Sequence, residues 1–167
     1  MLLQCKESFT NVSIEETIQI WLNVLYHSDC TNHGIEEPIL KKLLLKCTRD
    51  VEFSFNDKMY RQVVGVAMGS PLGPVLANIF LGHCESLIPQ EKWPELYRRF
   101  VDDILNFTED DALQFLECLN QLHPSLEFTM EGEVDKRLPF LDALTMRVGR
   151  ELKTTIYRKP TFTGLYT

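Results

Sequence analysis

Apolar residues recur at helical spacing in four stretches of the chain, and polar residues fill the positions between them. A stripe of this kind places one side of a helix against a core. In the first stretch the stripe consists of Ile14, Ile18, Trp21, Leu22 and Leu25, after a Ser13 that can cap the helix. The pattern predicts helices over residues 13–28, 36–47, 75–87 and 110–122.

Shorter stretches alternate between apolar and polar residues, as strands with one covered face do. Val51 to Phe55 alternates in this way, and Asn56-Asp57-Lys58 supplies turn residues before a partner strand. Strands are predicted over residues 51–55, 59–64, 96–101, 104–107, 126–130, 138–148 and 152–157, with the last two forming a hairpin around 149–150. Helices that alternate with hairpins indicate an α+β domain, with a small antiparallel sheet backed by helices.

The composition fits a folded domain rather than a disordered chain. The chain has 167 residues, of which 44% are hydrophobic and 25% are charged. No apolar stretch approaches the roughly 20 residues that cross a bilayer. The first residues also lack the apolar run of a signal peptide. We therefore expect no membrane partner, and a nuclear or cytoplasmic rather than a secreted protein.

The net charge of −7 argues against a nucleic-acid-binding protein when it is taken alone. The charge is unevenly spread, however. Residues 136–159 contain seven basic and two acidic residues, a net charge of +5, which leaves −12 for the rest of the chain. An ordinary solvated face also explains such a segment, so charge does not decide between the two interpretations.

Two adjacent acids, Asp102 and Asp103, lie between apolar runs that predict strands. We expect Asp102-Asp103 to form the tip of a hairpin with both carboxylates on one side. Like charges that close raise each other's pKa, and a divalent cation removes that penalty. Mg²⁺ binds through one or two carboxylates plus substrate phosphates, which predicts phosphoryl-transfer chemistry. A solvated turn is the alternative, because Asp is a common turn residue.

A segment rich in glycine and proline lies between the predicted strand at 59–64 and the helix at 75–87. Gly69 can adopt backbone angles closed to other residues and lets a ligand approach the chain. Ser70 offers a hydroxyl, and a helix is predicted to begin with Pro74 and Leu76-Ala77-Asn78. A loop that leads into a rigid helix can contact a template base and a nucleotide, although a simple connector is the alternative.

Taken together, the two segments resemble the reverse-transcriptase pattern, most closely that of Penelope-like retroelements. The matching residues are Gln62-x-x-Gly65-x-Ala67-Met68-Gly69-Ser70-Pro71-x-x-Pro74-x-Leu76-Ala77-Asn78 and Phe100-Val101-Asp102-Asp103. Further matching stretches are Phe9-Thr10-Asn11-Val12, Leu138-Pro139-Phe140-Leu141-Asp142 and Tyr157-Arg158-Lys159-Pro160-Thr161. The resemblance implies a polymerase palm over residues 1–167, a partial reverse transcriptase domain truncated at both ends, with fingers and thumb largely missing.

The resemblance also implies roles for residues at the matching positions. Asp102 and Asp103 correspond to the catalytic pair that binds Mg²⁺, with Mn²⁺ as a possible substitute. Residues implied to contact template and nucleotide are Phe9, Gln62, Gly69, Ser70 and Pro71. Residues implied to hold the primer end are Phe140, Leu141 and Asp142. The implied partners are an RNA template, a DNA primer and a deoxynucleoside triphosphate.

The chain departs from the family at the third metal-binding aspartate, which the family places five residues before the aromatic matched by Phe9. Counting back gives Gln4, or Cys5 if one residue is deleted. Neither replaces a carboxylate well, because hard cations prefer anionic oxygen. Glu7 is the nearest acid, but it falls on the opposite face of a strand from Gln4.

Three functions therefore stay open at this point. The first is an RNA-directed DNA polymerase that transfers nucleotides by a two-metal mechanism and belongs to a retrotransposable element. The second is a folded remnant without catalysis. The third is an RNA-binding or scaffolding protein derived from a palm. We expect the chain alone to have little or no polymerase activity, because the third carboxylate is missing.

Overall fold

The computed structural model describes residues 2–6, 12–27, 34–63, 65–67, 69–106, 112–149 and 151–159. These residues form a mixed α+β fold in which four helices accompany small antiparallel sheets. The α+β prediction is thereby confirmed at the level of fold class.

The helices within the described residues lie close to their predicted positions. They are α1 (Ile14–His27), α2 (Glu37–Thr48), α3 (Gly73–Ser86) and α4 (Ala112–Leu122), with a short 3-10 turn at Gln90–Lys92. Acidic residues stand in the first turns of α1 and α2, where the positive end of the helix dipole stabilises them. Pro74 occupies the first turn of α3, where its missing N–H costs no hydrogen bond.

The nine strands of the described residues form three sheets, all of them antiparallel. The first sheet has the order β4-β5-β1-β6 and contains β1 (Leu2–Lys6), β4 (Tyr97–Phe100), β5 (Asp103–Asn106) and β6 (Glu127–Glu131). The second is the hairpin of β2 (Glu52–Phe55) and β3 (Lys58–Arg61). The third contains β7 (Arg137–Phe140), β8 (Ala143–Val148) and β9 (Glu151–Ile156).

The four-stranded sheet has one face covered by helices. Residues opposite each other in its ladders, such as Leu3 and Ile104, point to the same face and are buried together. Phe80, Leu81 and Cys84 of α3 and Phe115 and Leu119 of α4 complete this cluster. A second cluster joins Ile18 and Leu22 of α1 to Leu44 of α2 and Leu76 of α3. Helix α3 therefore contributes to both clusters.

The single strand predicted over residues 138–148 is wrong. Leu141 and Asp142 form a turn, and Leu141 has a φ of 53°, so the segment divides into β7 and β8. Pro139 lies in β7, at the edge of its sheet, where a residue without an N–H is tolerated. Apolar residues stand on both sides of Asp142, and neither Gly nor Asn occupies the turn, which is why the pattern alone does not reveal it.

Among the helices of the described residues, none combines the length and apolar character needed to cross a bilayer.

Candidate functional site

The two aspartates lie where β4 turns back into β5. Phe100 pairs with Asp103, so Val101 and Asp102 alone form the turn and Asp103 is the first residue of β5. The predicted Asp102-Asp103 turn is therefore wrong by one residue. Val101 has a φ of 55°, a conformation in which a β-branched residue is strained. The two carboxylates start from neighbouring positions, one in the turn and one in a regular strand.

Strand β1 runs alongside this hairpin. The backbone N–H of Cys5 donates a 2.9 Å hydrogen bond to the carbonyl oxygen of Asp102, and Gln4 lies directly opposite Asp103. Opposed residues share a face, so Gln4 and Asp103 lie on the same side of the sheet. This side is opposite to the helix-covered face, and we call it the open face.

The register of β1 separates the two candidate positions for the missing carboxylate. Gln4 is exposed on the open face, whereas Cys5 is buried beneath it, opposite Phe128. Burial, helped by the charge of Asp102, raises the pKa of the Cys5 thiol to about 11, which keeps it protonated at neutral pH. Gln4 is therefore the β1 residue nearest in register to the acid pair on the same face. Glu7 lies outside the described residues.

Asp103 lies in an electrostatic environment that disfavours its charge. Partial burial is the main cause, and the carboxylates of Asp102 and Glu131 add to it, so the pKa of Asp103 is raised above its ordinary value. The ammonium group of Lys159 acts in the opposite direction. A cation near the pair stabilises the ionised form of Asp103.

Polar and aromatic side chains surround the acids on the open face. The row through Asp103 consists of Phe100, Asp103, Gln4 and Thr129 on four successive strands. The adjacent row consists of Arg98, Leu105, Leu2 and Glu131. The Phe100 side chain is exposed beside Asp103, which provides an apolar surface next to a charged one.

The glycine-proline loop is structured around the start of α3. Gly69 has a φ of 87°, so this position requires the backbone freedom of glycine although a Cβ there would meet open space. The Ser70 hydroxyl oxygen accepts a 3.4 Å hydrogen bond from the N–H of Leu72. Pro71 is exposed, and the N–H of Gln62 donates to the carbonyl oxygen of Val51 at 3.0 Å. Ser70 thus belongs to the turn directly before the helix, where its carbonyl oxygen also accepts a 3.0 Å hydrogen bond from the N–H of Gly73.

The segment implied to hold the primer end is the turn between β7 and β8. Phe140 is the last residue of β7, and Leu141 and Asp142 are exposed. The carbonyl oxygen of Asp142 accepts a 2.7 Å hydrogen bond from the N–H of Tyr157. Lys159 lies two residues further along the same segment, and its charge acts on the Asp103 carboxyl. The segment that follows the third sheet therefore interacts with the acid pair.

Phe9, implied to contact the nucleotide sugar, lies outside the described residues. Three other residues near the pair received no role there from the sequence: Arg99, Glu131 and Lys159. Arg99 could have been found from strand alternation, because its position is on the covered face, where a charge requires a partner. Glu131 and Lys159 are distant in sequence, and only the tertiary fold shows their effect on Asp103.

A cleft of about 520 Å³ lies between the 3-10 turn and α4 and is lined by Trp93, Phe115 and Cys118 among others. Phe115 belongs to the cluster under the covered face, so this cleft is on the other side of the sheet from the acid pair. The cleft is therefore separate from the candidate site.

The acid pair fits part of a divalent-cation site. Two neighbouring carboxylates are the protein ligands that Mg²⁺ commonly uses when water and phosphate oxygens complete its shell. In the part of the chain that the structure describes, no group of three or more His, Cys, Asp or Glu residues is arranged to hold a metal. The residue directly opposite Asp103 is Gln4, whose amide carries no charge.

The site thus consists of Asp103, on the open face of a helix-backed antiparallel sheet, and Asp102, in the strained turn beside it. No protein-family model matches the chain. A comparison with curated proteins finds no significant match either.

Proposed function

We propose that the chain is the palm of a reverse transcriptase, an RNA-directed DNA polymerase of the kind that Penelope-like retroelements encode. The proposed partners are an RNA template, a DNA primer and a deoxynucleoside triphosphate. Such a protein would act in the nucleus or the cytoplasm.

The observation that carries the proposal is the position of the acid pair. Asp102 and Asp103 lie in the hairpin next to β1, and Asp103 is opposite Gln4, the residue reached by counting back from Phe9 in the sequence pattern. The count depends on the sequence alone, whereas the strand pairing depends on the fold. Agreement between a sequence count and an independent strand register supports the assignment of these strands to a palm.

The reaction would join a primer to a nucleotide. The primer 3′-hydroxyl oxygen attacks the α-phosphorus, the bond from that phosphorus to the bridging oxygen breaks, and pyrophosphate leaves with the electron pair while the hydroxyl proton passes to solvent. Asp102 and Asp103 would hold Mg²⁺ or Mn²⁺, which supplies charge neutralisation for the phosphates. The open face would carry the primer end, and the exposed Gly69 loop would face the nucleotide and template base.

A second candidate function is supported by Gln4. Its neutral amide stands on the face where a third carboxylate would complete the cation site. This observation favours a folded remnant without catalysis, or an RNA-binding or scaffolding protein built from a palm.

Cation binding tests the proposed site directly. We expect Mn²⁺, measured by electron paramagnetic resonance of the free ion, to bind the wild-type chain at neutral pH. Asp102→Asn and Asp103→Asn should each weaken this binding by about tenfold or more, because ligand charge sets affinity for hard cations. Asp57→Asn is the matched control, since Asp57 occupies the second turn position of the β2–β3 hairpin. Equal affinity in all four proteins would contradict the assignment of the acid pair.

Substitution of Gln4 distinguishes the two candidate functions. Gln4→Asp should tighten Mn²⁺ binding by about tenfold, because it adds a carboxylate on the same face. We expect the wild-type chain to extend a primed RNA template weakly or not at all in Mg²⁺. Robust extension by the wild type would contradict the importance of the missing carboxylate. RNA affinity that falls steeply with salt, without extension by either protein, would instead favour the RNA-binding alternative.

A further inference from the structure

Arg99 lies immediately before the acidic turn, but its side chain is on the covered face. It is opposite Ile104 in the sheet, and 14% of the side chain is exposed. Its partner is Glu85 of α3, 18% exposed. Nε of Arg99 donates to one carboxylate oxygen, and Nη2 donates to the other at 3.1 Å. Although burial works to lower the pKa of Arg99, the hydrogen bonds and charge of Glu85 raise it, so the guanidinium stays charged.

The ion pair leaves one guanidinium nitrogen free for other acceptors, and this nitrogen reaches the turn. Nη1 donates to the carbonyl oxygen of Val101 at 3.1 Å and to Oδ1 of Asn78 at 2.7 Å. The Val101 carbonyl belongs to the central peptide of the two-residue turn. Its hydrogen bond to a buried cation therefore fixes the orientation of the peptide that joins Val101 to Asp102.

The strain at Val101 makes this hydrogen bond important. A β-branched residue with a φ of 55° persists only when surrounding contacts hold it. The Cys5 N–H holds the carbonyl of Asp102, and Arg99 holds the carbonyl of Val101. Two consecutive peptides of the turn are thus fixed, one by the backbone of β1 and one by the Arg99 side chain, which Glu85 and Asn78 of α3 hold in place.

Asn78 connects the same guanidinium to the beginning of α3. This helix starts at Gly73, directly after the loop that contains Gly69 and Ser70. Because a helix is rigid over one or two turns, the position of Asn78 follows that of the loop. Arg99 therefore ties the acidic turn to the helix that the loop begins, through a single planar group.

We propose that Arg99 is a positioning residue. It sets the conformation of the Val101–Asp102 turn relative to α3 and thereby orients the carboxylates of Asp102 and Asp103. Orienting these carboxylates matters for catalysis only if the proposed function holds, so this inference rests on it. The effect of Arg99 on the conformation of the turn can be measured whether or not the proposed function holds. A lysine at this position could still pair with Glu85. It could not at the same time donate to both Val101 and Asn78, because its ammonium group is a compact point rather than a planar fork.

The test compares Arg99→Lys with the wild-type chain by NMR in the absence of metal. We expect the amide signals of Val101, Asp102 and Asp103 to shift, and the φ-dependent coupling of Val101 to change toward an unstrained value. Arg61→Lys, on the exposed β2–β3 hairpin, should leave these signals unchanged. If the turn signals of Arg99→Lys match those of the wild type, Arg99 forms only a structural ion pair and the proposal fails.

A second variant, Asn78→Ala, tests the same connection in case Arg99→Lys does not fold. Asn78→Ala keeps the ion pair with Glu85 and removes an exposed acceptor, so the chain should fold. We expect its turn signals to shift in the same direction as those of Arg99→Lys, by a smaller amount. Unchanged turn signals in Asn78→Ala would overturn the connection between α3 and the turn.

Mn²⁺ affinity provides the functional readout. Arg99→Lys should weaken Mn²⁺ binding by about tenfold, the usual effect of losing a residue that orients metal ligands. If the wild type binds no Mn²⁺, the proposed function fails, and the metal-free turn signals still decide whether Arg99 positions the turn. If Mn²⁺ binds equally to wild type and Arg99→Lys, the positioning proposal fails while the proposed function stands.

Discussion

The β2–β3 and β4–β5 hairpins are built alike but differ in burial, since the first is exposed and the second pairs with β1 and packs against helices. Each joins two four-residue strands by a two-residue turn whose second residue is aspartate. In β2–β3 every strand residue is exposed, and the turn residues Asn56 and Asp57 have φ values of 50° and 59°. Asn and Asp are the residues that adopt such angles most readily. This hairpin is explained by its own sequence.

The β4–β5 turn instead begins with Val101, which disfavours its φ of 55°. Strain of this kind costs about 1–3 kcal/mol and requires compensation elsewhere. The compensation comes from β1, from the Arg99 side chain that α3 holds through Glu85 and Asn78, and from the buried ladder that includes Ile104. The comparison shows that tertiary contacts, rather than local preference, hold the acid pair in place.

The largest effect should follow from breaking the anchor of β4–β5. Glu85→Ala leaves the guanidinium of Arg99 largely buried without its carboxylate, and it also removes the acceptor of the Tyr97 hydroxyl. We expect the free energy of unfolding to fall by about 3 kcal/mol, as when one partner of a buried pair is removed. Urea unfolding followed by circular dichroism measures the change.

The matched change on β2–β3 is Glu52→Ala. Its carboxylate lies 3.6 Å from Arg61, and both side chains are 57% exposed. Because exposed pairs are screened by solvent, the loss should be below about 1 kcal/mol. Equal losses for Glu85→Ala and Glu52→Ala would show that the two hairpins are held alike.

A smaller effect should follow from removing the strain itself. Val101→Gly allows the positive φ without steric cost, and we expect a gain of about 1 kcal/mol in the free energy of unfolding after the added flexibility of glycine is counted. Asn56→Gly on the other hairpin should change it by less than about 0.5 kcal/mol, because Asn already accepts this conformation. Thermal unfolding of both variants checks the difference. A loss of stability in Val101→Gly would contradict strain at this turn.

Local signals predicted much of the fold. Apolar periodicity located the four α-helices of the described residues to within two residues at their ends, because each of them buries one stripe, but it gave no sign of the short 3-10 turn at Gln90–Lys92. The order β4-β5-β1-β6 could not be obtained in this way. It depends on pairs such as Gln4 with Asp103, and pairing across so long a separation leaves no local mark in the sequence.

The sequence predicted the two acids of the candidate site but not the backbone conformation that holds them. Adjacency of Asp102 and Asp103 marked the turn, yet it gave no indication that Val101 takes the strained position and that Asp103 begins a strand. The anchor formed by Arg99 and Glu85 also escaped detection, because each is an ordinary charged residue until its burial is known. Its inward position in a predicted strand was the one available signal.

The smallest effect concerns the charge of Asp103, whose pKa is raised by partial burial and by Asp102 and Glu131. In the window between its ordinary pKa and this raised value, the folded state binds more protons than the unfolded state. The free energy of unfolding therefore falls as pH rises through that window, and the loss persists at neutral pH.

Asp103→Asn should remove this loss and stabilise the protein at pH 7 by less than about 1 kcal/mol, because solvent screens a partly exposed charge. Urea unfolding as a function of pH should show the advantage of the variant shrinking as pH falls through that window and gone below the ordinary pKa of aspartate. An advantage that grows toward acid pH would mean that the Asp103 carboxylate is stabilised in the fold rather than held there against its neighbours.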